Sequence, residues 1–334
     1  MPNTPDNNPL TSSGPEPVHV TPGDADIRGL RWVAEVDTDD VLTRDQLIPD
    51  DAPMGMWGEA WKHLRRRPMF WIASLIILFV ILLAAVPGLF TNLDPQHADL
   101  AKSLNGPEDG HIFGFTQQGY DVYARTIYGA RASVVCGIAT TLLVTVLGVI
   151  IGAIAGYRGG WIDSVLSRIT DTFFAIPLLL AAIVLMQVFS ARTIWTVVLV
   201  LALFGWPQMA RIVRSSVMSV KNNDYVTASR ALGLSRTAIL IKHVLPNCLA
   251  PIIVMATTSL GIYIVAEATL SYLGIGLPPT EVSWGNDISA AQNSIRYQPA
   301  VLFYPAGFLA LTVLGFILLG DTLKDALDPK ERTR

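Results

Sequence analysis

The chain has 334 residues, 51% of them apolar and 15% charged, with a net charge of −3 and a mean hydropathy of +0.44. Ordinary soluble domains carry about 25% charged residues. The composition therefore excludes a disordered protein, a collagen and a small disulfide scaffold, argues against a soluble enzyme, and favours a membrane protein.

Residues 1–55 differ from the rest. They hold eleven acidic and three basic residues and eight prolines. Their apolar content is too low to offset the entropy of ordering, so an acidic, disordered tail is predicted. No basic segment leads into an apolar core near Met1, so the tail does not read as a secretory signal. The remainder, 56–334, has a net charge of +5 and no basic tract of the nucleic-acid-binding kind.

Six apolar segments follow, at about 70–90, 133–157, 173–189, 193–210, 248–273 and 297–320. Each reaches or approaches the roughly 20 residues that a helix needs to cross about 30 Å of hydrocarbon. Lipid cannot satisfy open backbone groups, so the spans are helices and the fold class is all-α with six transmembrane helices. The third and fourth spans form a tight hairpin, each kinked by its proline, Pro177 or Pro207. With the N-terminus inside, sixteen Lys and Arg fall on the inner side and five on the outer side. That bias predicts cytoplasmic termini. Three connections are longer than turns: an outer loop at 91–132, a basic inner loop at 211–247 and an outer loop at 274–298 rich in Pro, Gly and Trp.

Catalytic signatures are missing. None of the six lysines follows a glycine, no histidine precedes a glutamate, and no GxSxG occurs. The five histidines are scattered, without metal-ligand spacing. Cys136 and Cys248 make no CxxC and read as buried small hydrophobes. No catalytic residue and no metal site is predicted. Transport against a gradient then draws its energy from another chain or from an ion gradient.

The inner loop carries the strongest local pattern. Asn223 or Asp224 can cap a helix that begins at Tyr225. Tyr225, Ala228, Ala231 and Leu232 share one face. Gly233 ends the helix in a φ > 0 conformation, and Ser235 caps a second short helix that runs toward Pro246. A two-turn helix cannot bury its own apolar face. It docks on a cytoplasmic partner or lies on lipid headgroups, and the pattern alone leaves both open.

Thr227-Ala-Ser, then Gly233, then His243-Val-Leu-Pro246 resembles the "EAA" signature of ABC importer permeases, with matching spacings. Thr227 stands where that family usually has Glu, and Ser229 replaces the last Ala. Asp224-Tyr-Val, Arg230-Ala-Leu-Gly233 and His243-Val-Leu-Pro-Asn247 are similar to the oligopeptide/dipeptide/nickel branch. Glu267-Ala-Thr-Leu-Ser-Tyr-Leu-Gly-Ile-Gly276, Pro278-Pro279, Ser283-Trp-Gly285, Tyr157-Arg-Gly-Gly-Trp-Ile-Asp163, Arg168, Asp171 and Pro177 resemble its C-type permease. The stretch Gly114-Phe-Thr-Gln-Gln-Gly-Tyr-Asp121 departs from that branch, and the acidic tail lies outside the resemblance.

The resemblance implies a type I importer permease in a bacterial cytoplasmic membrane. It implies a homologous B-type permease, two cytoplasmic ATPases that hold ATP and Mg, an extracytoplasmic binding protein, and no cofactor on this chain itself. It makes 224–233 a coupling helix, through Asp224, Tyr225, Thr227, Ala228, Ser229, Ala231, Leu232 and Gly233, with His243, Pro246 and Asn247 supporting the loop. Glu267 within the fifth span lines the path or an outer gate, or is a packed, hydrogen-bonded partner at the permease interface. Arg168 and Asp171 form an i,i+3 ion pair or an inner gate. Trp284 anchors at the outer membrane interface or meets the binding protein. Peptides are the expected cargo, with nickel or another small ligand as the alternative. A stand-alone secondary transporter would require ionisable residues in several spans and an internal repeat. Only Glu267 qualifies, and no repeat is visible.

Overall fold

The computed structural model describes residues 56–327, so the predicted acidic tail, 1–55, and residues 328–334 lie outside the described residues. Among the described residues there are helices and three isolated β-bridges, but no strand. The all-α class is as expected.

A short helix, α1 (Met56–Leu64), precedes α2 (Pro68–Ala85), which starts with Pro68 in the first turn, where a missing N–H costs nothing. The first predicted span therefore ends at Ala85 rather than 90, because the chain turns into a 3-10 turn at Pro87–Leu89. The second span, α3 (Val122–Arg158), has 37 residues and begins eleven positions before its apolar core. Asp121 explains the early start: its Oδ1 accepts from the Ala124 N–H at 2.6 Å. The outer loop thus ends at residue 121.

The third predicted span, 173–189, holds only one complete short helix, and a second helix precedes it. α4 (Gly160–Phe174) and α5 (Leu178–Met186) meet at 76°. Pro177 enforces the break, having no N–H to donate and disfavouring a helical residue before it. α6 (Ile194–Val220) keeps Pro207 inside an unbroken helix. It runs ten residues past the predicted end of the fourth span, because Arg211 and Arg214 bind carboxylates on α4. The expected inner loop at 211–247 is consequently not a loop over most of its length. It comprises the last turns of α6, then α7 (Asp224–Ala231), then α8 (Arg236–Ile239), whose chain passes through a π-turn and a 3-10 turn into α9 (Leu249–Tyr272). α10 (Trp284–Ala291) crosses the second outer connection, and α11 (Ala300–Leu327) is the last span.

Among the described residues five helices are long and apolar enough to cross a membrane, or up to six if the bent α4–α5 pair is one span. α3 and α6 run parallel, in contact along a glycine stripe. Gly148 faces Met209, Gly152 faces Ala210 and Val213, and Gly156 faces Arg214 and Val217. A Cβ on Gly152 would sit 2.4 Å from the Ala210 carbonyl oxygen, so only glycine allows this approach. Arg67, just before α2, forms an ion pair with Asp325 near the end of α11, which places both ends of the described chain at the same end of the bundle.

Candidate functional site

α7 stands at the end of the bundle where α3 and α6 terminate. Lys221, just after α6, donates from Nζ to the Gly156 carbonyl near the end of α3 at 2.6 Å. Asn223 occupies the N-cap position, but its side chain makes no capping hydrogen bond. Val226 is the one buried residue of α7. It joins Val217 of α6, Ile239 of α8, and Val244 and Cys248 in a common core cluster. Tyr225, Ala228, Ala231 and Leu232 are all exposed, Leu232 at 81%. The helix is thus fixed at its root while its predicted docking face is uncovered within this chain.

The turn after α7 is fully specified by local bonds. Gly233 has φ +84°. Its N–H donates to the Arg230 carbonyl at 3.0 Å, and the Leu234 N–H donates to the Ser229 carbonyl at 3.3 Å. This is the Schellman pattern, which needs a left-handed residue at the Gly233 position. Ser229 Oγ donates to the Tyr225 carbonyl at 2.8 Å, and Ser235 Oγ accepts from the Ala238 N–H at 3.3 Å, as expected of a cap. Thr227 is exposed and Asp224 lies in the first turn. His243 falls in the π-turn, Pro246 in the 3-10 turn, and the Asn247 side chain donates to the His243 carbonyl at 2.7 Å. These three residues make the junction between the α7–α8 hairpin and α9.

The expected Arg168–Asp171 ion pair is not formed. Asp171 accepts instead from Arg211 of α6 at 2.7 Å, and Arg168 is exposed. Arg211 also lies over the Phe174 ring at 3.8 Å, which favours a partner across the helix contact rather than along α4. One turn away, Arg214 binds Asp163 through both guanidinium arms at 2.5 and 2.7 Å. Neither arginine was singled out as a partner by sequence, because the pairs span forty or more positions. Together they clamp the broken third span to α6.

Glu267 and Trp284 belong to the opposite end. Leu249 and Glu267, near the two ends of α9, are about 27 Å apart along the helix axis, so no single site gathers the candidates. Glu267 is 0% exposed. Its carboxylate accepts from Ser133 Oγ of α3 and Ser271 Oγ of α9, each at 2.8 Å. Ser271 Oγ in turn accepts from the Leu277 N–H. Within this chain Glu267 is a buried linker of α3, α9 and the following loop. Trp284 is also 0% exposed, which corrects the expected interfacial position. Its indole N–H donates to the Thr126 carbonyl at 2.8 Å and its ring packs among Val80, Leu83, Ile127 and Val134. The first turn of α10 carries it inward, because Ser283 caps that helix.

A neighbouring pair was not anticipated. Arg125 of α3 binds Asp287 of α10 at 2.6 Å, with both side chains largely buried, and reaches the Pro95 carbonyl at 3.3 Å. Burial pushes the Asp287 carboxyl above its ordinary range and the Arg125 charge opposes that shift. The pair lines a cavity of about 390 Å³ among α3, α10 and the outer loops.

Known proteins agree with this architecture. The oligopeptide transport system permease protein OppC of Bacillus subtilis (strain 168) is 39% identical over 279 residues, covering 84% of this chain and 91% of the relative. The dipeptide transport system permease protein DppC of the same organism is 38% identical, covering 82% and 86%. The glutathione transport system permease protein GsiD of Escherichia coli O157:H7 is 34% identical, covering 87% and 96%. A solved chain of the inward-facing MetNI methionine ABC transporter superposes with a TM-score of 0.51 at 19% identity, covering 61% of this chain and 96% of that one. Residues 55–107 match the N-terminal TM domain of oligopeptide transport permease C. Residues 148–333 match the binding-protein-dependent transport system inner membrane component, and the chain belongs to that family of multi-pass ABC importer permeases.

Proposed function

We propose that this chain is the C-type permease subunit of a peptide importer in a bacterial cytoplasmic membrane, and that α7 transmits the cycle of cytoplasmic ATPases to the spans. A homologous permease would complete the pathway, an extracytoplasmic binding protein would deliver the peptide, and ATP and Mg would reside on the ATPases. The relatives named for oligopeptide, dipeptide and glutathione transport support the cargo class.

The observation that carries the coupling role is the uncovered face of α7 above a buried root. Val226 locks the helix to α6 and α9, so a push on Tyr225, Ala228 or Leu232 moves the ends of both spans. Such a push acts only if a partner binds two states of this end with different affinity. Thr227 offers no carboxylate, so docking relies on packing against the small side chains of Ala228 and Ala231.

The test is the assembled complex in proteoliposomes, assayed for ATP hydrolysis stimulated by loaded binding protein and for uptake. Ala228→Lys places a long charged chain on the docking face without touching the core. Uptake is expected to fall at least tenfold, the equivalent of about 1.4 kcal/mol of lost coupling, with normal membrane levels. Wild-type uptake in this variant would remove α7 from the coupling path.

A further inference from the structure

The same end of the bundle holds a cavity of about 950 Å³ that the coupling role does not use. Its walls come from the end of α3, the start of α4, the residues after α6, and from α7 and α8. Four cations line it, Arg158, Lys221, Arg230 and Arg236, and among the described residues no Asp or Glu does. Arg158, Arg230 and Arg236 have no carboxylate partner among the described residues, whereas the nearby Arg214 is already taken by Asp163. The first three residues of α4, Gly160 to Ile162, also line the cavity, and their cap, Gly159, has no side chain to accept from their N–H groups. Tyr157 lines it as well.

We infer that this cavity is a binding site for the headgroup of an anionic phospholipid. Four cations and a helix start converge on one space, and a phosphate oxygen satisfies both kinds of donor. The volume lies within the roughly 300–1,000 Å³ of small-molecule sites. Its surroundings favour a lipid over a soluble anion. The cavity opens where the membrane-spanning α3 ends, and Trp161, Ile154 and Val165 expose apolar surface beside it, Trp161 at 75%. Tryptophan and cations between helices at the cytoplasmic side are the expected marks of a headgroup site.

Occupancy has a consequence for α7. Thr227 and Arg230 of α7 form one wall, and Arg158 and Trp161 at the α3–α4 junction form another. A bound phosphate bridges them and holds α7 against the bundle, supplementing Val226. This inference rests on the cytoplasmic placement of this end under the proposed function. A cysteine at Leu232 tests that placement alone, and lipid retention tests the cavity alone.

The experiment is native mass spectrometry of the purified full chain, titrated with phosphatidylglycerol and with phosphatidylcholine. Phosphatidylglycerol is expected to be retained preferentially, and millimolar inorganic phosphate should not displace it. In the triple variant Arg158→Gln, Arg230→Gln, Arg236→Gln its affinity should fall about fivefold for each cation removed. The corresponding triple lysine variant should keep the preference, which separates lost charge from a folding defect, and Arg66→Gln outside the cavity should leave it unchanged. Equal retention of the two lipids, or unchanged retention in the glutamine variant, would overturn the inference. So would displacement by phosphate, which would make this a small-anion site. Retention that appears only after residues 1–50 are deleted would assign the cavity to the acidic tail and overturn it too.

Discussion

Ser133 and Ser271 donate to the two oxygens of the fully buried Glu267, and this fixes what substitutions there must do. Glu267→Leu leaves the two serine hydroxyls without their acceptor, at about 1–3 kcal/mol for each group left unsatisfied. Glu267→Gln keeps the shape and a polar partner for each serine. Thermal unfolding in detergent should therefore show a large loss for Leu and a small one for Gln, and equal melting of the two would refute a structural role. The sequence showed that a carboxylate in a span needs partners, and Ser271, four residues on, was within reach of that logic. Ser133 was not, because it comes from another helix 134 positions away. Trp284 failed for a related reason. A tryptophan in a Pro- and Gly-rich outer connection fits a membrane anchor, and only the fold shows that Ser283 starts a helix which turns the ring inward.

Helix contacts set the next scale, where hydropathy is least informative. Gly148, Gly152 and Gly156 recur every four residues within an apolar run, so their contact with α6 was present in the sequence as a small-residue stripe. Hydropathy alone does not distinguish that stripe from a lipid-facing surface. Gly152→Ala puts a Cβ against the Ala210 carbonyl and should cost about 1–3 kcal/mol through overpacking. Gly307→Ala in α11 has open space around it and should gain about 0.5–1 kcal/mol from helix propensity. Opposite shifts in melting temperature are expected, and a shift of the same sign in both would contradict the packed stripe. The end of α6 was misjudged because arginines normally mark the edge of a span, yet Arg211 and Arg214 are neutralised by α4 and the helix continues. Gly233 was read correctly, because φ > 0 after a short helix is a local requirement. Gly233→Val meets no neighbour but resists that backbone by roughly 1–2 kcal/mol. Gly233→Asn tolerates it. In the reconstituted complex, uptake should be lost with Val and largely kept with Asn, and equal uptake in both would show that the turn is not under this constraint.

Across the described residues, the hydrophobic segments marked the five spanning helices, and a sixth span follows if the bent α4–α5 pair is taken as one, because lipid allows no alternative to a helix. They could not reveal that the third span bends by 76°, since a broken helix and a straight one have the same mean hydropathy. The chain alternates direction through the spans, with α3 and α6 parallel, so α7 emerges at the same end as Arg67 and Asp325. The second outer connection, with α10, lies at the other end. We propose that the α7 end faces the cytoplasm, because among the described residues thirteen Lys and Arg flank that end and five the other, and such an excess is expected on the cytoplasmic side. The native cysteines, Cys136 and Cys248, are both 0% exposed and should give little background labelling. Leu232 and Thr280 are exposed at opposite ends, so single cysteines there report the orientation directly. A membrane-impermeant maleimide added to intact cells should label Thr280→Cys and spare Leu232→Cys until the membrane is opened. The reverse pattern would invert the molecule, put α7 on the outside where no ATPase can reach it, and end the coupling proposal whatever the family resemblance.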